Sequence, residues 1–121
     1  MKSWNTGALG VEPHRPEVLC STAEGRAILV ALPAGEMLHE HQVHEHTWLV
    51  VASGSVEIRD SAGATVSGGP GLLAHLEPNE RHEVRATTDA RVLLLLTPWP
   101  GEGHPSERAR ANPELVMSAR R

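Results

Sequence analysis

The sequence predicts an all-β single domain, a sandwich or barrel of seven to nine short strands. Short apolar or alternating runs recur along the chain, and Gly, Pro or Asn punctuates the gaps between them. The bulk of those runs is Val, Ile, Leu and Ala, because the chain holds three Trp and neither Phe nor Tyr. Branched Val and Ile suit a pleated surface. At 121 residues, with no internal repeat and no linker long enough to divide it, the chain has the size of one domain.

In chain order, residues 1 to 16 carry Asn, Gly and two prolines and read as an irregular arm. Glu17–Ser21 is a short strand. Arg26–Leu32 is a continuous apolar run closed by the turn residues Pro33, Ala34 and Gly35, and reads as a strand with little solvent exposure. His39 and His41 alternate with Glu40, which sets both on one face of an extended segment. Thr47–Ala52 is a strong strand, and Ser55–Arg59 alternates polar and apolar after the Ser53-Gly54 turn. Asp60–Gly63 is a hairpin signal before the short Ala64–Ser67 segment. Leu72–Leu76 follows the break at Gly68–Gly71. His82–Ala86 follows the turn Pro78-Asn79-Glu80, and Arg91–Thr97 is the last strong strand. The prolines and glycines of Pro98–Pro105 exclude regular structure there, and Glu107–Arg121 has room for one short helix interrupted at Asn112-Pro113.

Charge and composition exclude several function classes. The net charge of −4 leaves no broad basic face for a nucleic-acid backbone, and Arg108, Arg110, Arg120 and Arg121 read as a solvated tail. The longest apolar run, Val92–Leu96, is far too short to span a bilayer. The N-terminus shows no signal peptide, and the single Cys20 permits no internal disulfide, so the expected location is the cytoplasm. Histidine is the anomaly: the chain has eight, with His39, His41, His44 and His46 crowded between Leu38 and Thr47.

Two glycine–histidine registers give the chain its resemblance. Gly35 and His41 are separated by five residues, and Gly54 closes the stretch. Gly71 precedes His82, with Asn79 where an inner glycine is usual, and Asn is the commonest other residue in the left-handed conformation. This pattern resembles the two motifs of the cupin superfamily, over roughly Ala27 to Pro105, with the short Gly54–Gly71 gap of small single-domain members. The resemblance implies a cupin-type double-stranded β-helix, a jelly-roll barrel. It divides the chain into an arm and first strand at 1–26, a barrel at 27–105 and a tail at 106–121.

The resemblance also implies a divalent transition metal, whether Fe, Ni, Mn, Cu or Zn, held by a histidine-rich site in the barrel. In the strict register two ligand positions hold His41 and His82, while the others hold Val43 and Thr47; the motif proline falls one residue late at Pro78, and the closing asparagine is Ala86. A shifted register makes His39-Glu40-His41 the histidine pair and Glu45 the carboxylate. The expected metal ligands are therefore His39, His41, His46 and His82, with His44 or Glu45 as replacements for His39 or His46. Their affinity for metal is expected to fall as pH drops through roughly 6, because ligating imidazoles must be deprotonated.

Around them Leu49, Val51, Leu73 and Val84 are the expected cavity-facing aliphatics, His75 is read as structural, and Trp48 is expected on the opposite face to Thr47. Two functions follow from the resemblance. One is a metal-dependent enzyme, dioxygenase-like or isomerase-like, on a small organic substrate. The other is a non-catalytic cupin that binds or senses a small molecule or a metal. A homodimer is expected, because Trp4, Trp48 and Trp99 fall outside the predicted cavity face and short edge strands need covering.

Overall fold

A computed structural model describes residues 1–41 and 45–97, with residues 39–41 as backbone. The expected tail helix, Trp99, His44 and the side chains of His39 and His41 lie outside the described residues. Among the described residues nine strands follow in order: β1 (Glu17–Thr22), β2 (Gly25–Leu32), β3 (Met37–His41), β4 (His46–Ser53), β5 (Val56–Asp60), β6 (Thr65–Gly68), β7 (Leu73–Leu76), β8 (His82–Ala86) and β9 (Ala90–Thr97). They form two antiparallel sheets, one ordered β1-β2-β9-β4-β7 and one ordered β3-β8-β5-β6. The all-β expectation and each expected strand are present, with ends displaced by a residue or two.

Alternation builds the core. Along β9, Ala90, Val92, Leu94 and Leu96 are buried, while the residues between them are half-buried on the other face. The leucine-rich run that reads as uniformly apolar thus serves two faces of one sheet. Val30 and Leu32 of β2 join Leu49 and Val51 of β4 in a cluster with Val56, Ile58 and Val84 of the opposite sheet. Full burial of such a side chain contributes about 1.5–3 kcal/mol, so this interdigitated layer is what holds the sheets together.

The four-stranded sheet turns its other face to solvent, where Glu57 stands opposite Arg85 and Arg59 opposite Glu83. Opposed charges on neighbouring strands contribute roughly 0.2–1 kcal/mol each, which accounts for the charged alternation of β5 and β8.

The turns use the residues their geometry demands. At the Pro33 turn, Gly35 has φ +83° and Glu36 N–H donates to the Pro33 carbonyl at 2.9 Å. At the β5–β6 turn, Asp60 Oδ1 accepts from Ala62 and Ala64 N–H, each at 2.9 Å. Asn79 has φ +64°, the left-handed conformation expected of it. The N-terminal arm is tied down where Arg91 Nη1 donates to the Thr6 carbonyl at 3.1 Å and Pro13 bridges to Ala31. No helix among the described residues is long and apolar enough to cross a membrane.

One expected cavity residue is corrected. Leu73 is 57% exposed and faces outward, while Ala74 and Leu76 face the interior. β7 begins one residue later than the apolar run does, after a tight turn in which Leu72 N–H donates to the Gly69 carbonyl. Leu72 packs on the core from within that turn, in step with Ala74 and Leu76, so Leu73 takes the outward parity.

Candidate functional site

The inner site lies at one end of the barrel, where β3 hands over to β4 across a short connection. On the five-stranded sheet, Arg26 and Thr47 flank Leu96 in one cross-strand row. Inward parity buries both, and Glu45, just ahead of β4, is buried with them. Arg26 Nη2 donates to Glu45 Oε2 at 2.9 Å, with side chains only 7% and 10% exposed. Thr47 is 2% exposed and its Oγ1 has no hydrogen-bond partner among the described residues.

The other wall is the four-stranded sheet, where the ladder sets residue 41 directly opposite His82. His82 is 3% exposed. Its Nδ1 lies 3.2 Å from the Glu80 carbonyl oxygen, which only accepts, so Nδ1 carries a proton in that contact. Leu49, Val51 and Val84, expected to face a cavity, point inward and are buried in the core cluster.

The described inner residues, Arg26, Glu45, Thr47 and His82, do not by themselves make a four-ligand metal set. The position at which the resemblance places a carboxylate is the neutral hydroxyl of Thr47. The nearby carboxylate, Glu45, already carries a guanidinium. A unit charge about 4 Å from that cation costs about 4 kcal/mol at the effective dielectric of a protein near its surface, and a divalent ion costs more. Arg26, Glu45, Thr47 and His82 are buried polar side chains beside the apolar core, and what they can do is hydrogen-bond.

A second group lies on the outer face of the five-stranded sheet. His46 has the parity of Trp48, which is 38% exposed, and not that of Thr47. The sequence grouped His46 with His82; strand alternation separates them, one outward and one inward. His46 instead meets His75 and Glu77, and the ligand atoms of all three lie within 4.8 Å of one another. His75, read as structural, and Glu77, not singled out, are the residues that sequence reasoning missed. The available signal was the two-residue spacing of His75 and Glu77, the same spacing that marked His39 and His41.

Two antiparallel sheets closed over one core, with motif glycines Gly35, Gly54 and Gly71 all at positive φ, define a cupin-fold protein. The comparison with solved structures agrees. The chain is similar to an RmlC-like cupin protein from Desulfovibrio desulfuricans, with 24% identity and a TM-score of 0.71 over 80% of this chain and 96% of that one. It is also similar to KdgF from Halomonas sp., with 23% identity and a TM-score of 0.64 over 75% and 86% of the two chains. A cupin superfamily protein from Desulfitobacterium hafniense shares 12% identity and a TM-score of 0.67 over 76% and 85%. No protein-family model and no curated protein matches the chain. The likeness therefore establishes the fold, and the site has to be argued from its own residues.

Proposed function

We propose that this chain is a small-molecule-binding cupin whose barrel recognises a polar organic ligand without a metal. The observation that carries the reading is Thr47 Oγ1, buried and without a hydrogen-bond partner among the described residues at the inner end of the barrel. An unsatisfied buried hydroxyl costs about 1–3 kcal/mol. A ligand oxygen that accepts from Thr47 recovers that cost.

Thr47→Val keeps the shape and removes the orphan hydroxyl. It is expected to stabilise the ligand-free protein by about 1 kcal/mol, read by urea unfolding. It should also weaken, by about tenfold, whichever member of a panel of small hydroxy- and keto-acids raises the melting temperature of the unaltered protein most. A destabilised Thr47→Val, or a panel with no effect, sinks the reading.

The second reading is a metal-dependent enzyme, dioxygenase-like or isomerase-like, with His41 and His82 on one ion. The pairing of residues 41 and 82 in the β3–β8 ladder favours it. It predicts that untagged protein carries a transition metal by elemental analysis and that His82→Ala abolishes the uptake. Retention of metal after His82→Ala excludes it.

A further inference from the structure

The β4–β7 ladder gathers four side chains into one patch on the outer sheet face. It pairs Trp48 with His75 and Thr47 with Leu76, so the same register carried one step past β7 sets His46 opposite Glu77. Three corners of the patch are then imidazole, imidazole and carboxylate, and the fourth is an indole.

His46 Nδ1 lies 3.0 Å from His75 Nε2 and 3.9 Å from Glu77 Oε2, and His75 Nδ1 lies 3.7 Å from Glu77 Oε1. Two imidazole nitrogens at 3.0 Å share either a proton or a cation, because two facing lone pairs repel. In a tetrahedral site with metal–nitrogen bonds of ~2.0–2.1 Å, ligand atoms stand about 3.3 Å apart. The histidine pair needs to open by only a few tenths of an ångström to reach that, roughly the scatter of ordinary side-chain motion.

Glu77 supplies the adjustable ligand. Its side chain is 67% exposed and free to swing, while its backbone is anchored: Glu77 N–H donates to Glu80 Oε1 at 3.0 Å, and Glu80 N–H donates to the Glu77 carbonyl at 3.1 Å. The rings are held more firmly. His46 and His75 stack with centroids 5.1 Å apart, and Trp48 packs against His75 at 4.3 Å. An apolar wall of that kind limits the rotamers of the imidazole and excludes water from one side of the site.

The geometry points to a divalent transition-metal site at His46, His75 and Glu77, on the outside of the barrel and distinct from its interior. Two imidazoles and one carboxylate suit Zn²⁺, Co²⁺, Ni²⁺ or Cu²⁺ and not the all-oxygen preference of Ca²⁺ or Mg²⁺. Three protein ligands leave a coordination position facing solvent, available to water or to a small anion.

The test is Zn²⁺ titration of the untagged, full-length chain by calorimetry. One ion per chain is expected. Losing a direct ligand costs at least what losing a supporting hydrogen bond does, so His46→Ala and His75→Ala should each weaken Zn²⁺ by about tenfold or more. His82→Ala and His14→Ala should leave it unchanged, with folding of every variant checked by far-UV circular dichroism. Unchanged affinity in His46→Ala and His75→Ala overturns the site, as does its loss in His82→Ala, which would move the metal into the barrel. A second readout needs no histidine variant. Cu²⁺ bound here should quench Trp48 emission, and Trp48→Leu should remove that quench without removing the binding; Cu²⁺ that binds and leaves Trp48 emission intact also overturns the site.

Discussion

Replacing Glu45 with Leu is expected to destabilise the folded chain by about 3–5 kcal/mol, read as the change in urea midpoint at constant slope. The substitution leaves Arg26, whose side chain is 7% exposed, without the carboxylate that it meets at 2.9 Å. A guanidinium stays charged at any working pH, so the chain must bury an uncompensated cation or rearrange the end of the barrel to expose it. Arg26→Met produces the opposite orphan, a buried carboxylate without the guanidinium that it meets.

The double variant Arg26→Met/Glu45→Leu should recover most of the single-variant losses, because an apolar pair needs no solvation. Losses that simply add would show that the two groups are not coupled.

Gly54→Ala is the second large effect, with an expected loss of about 3 kcal/mol or more. Gly54 has φ +72°, and a Cβ there would stand 2.0 Å from the Asp89 carbonyl oxygen and 2.7 Å from Ala90 Cα. Both neighbours are backbone of the approach to β9, so neither can move without shifting the central strand of its sheet. Gly35 is the internal control. It has φ +83° but nothing within 4 Å of a built Cβ, so Gly35→Ala should carry only the left-handed backbone cost of about 1–2 kcal/mol. Thermal unfolding of the two variants side by side separates close approach from conformation. Equal losses would mean that the clash relaxes and that Gly54 is needed only for its φ.

Much of this architecture was legible in the chain. Ser55–Arg59 and His82–Ala86 announce their inner faces by alternation, because every second side chain must leave water. Asn79 and Gly35 announce their turns, because few residues adopt positive φ cheaply. Tertiary structure decided the rest, and it decided the sites. Alternation says that Glu45, Thr47 and Leu49 share one face and His46 and Trp48 the other, but the sheet pairing settles which face meets the opposite sheet. That choice put His82 inside and His46 outside.

The two pairings that define the sites are equally invisible along the chain. Arg26 and Glu45 stand 19 residues apart, and His46 and His75 stand 29 apart. Each pair meets because β9 and β7 flank β4 in one sheet, an order that is set by closing two sheets over a shared core and that no local pattern encodes. The sequence by itself determined the strands, the turns and the supply of imidazoles. Only the packed sheets determined that those imidazoles divide between the barrel interior, where His82 is buried, and an outer face, where His46 meets His75, because burial acts on the whole sheet while sequence pattern acts on one strand at a time.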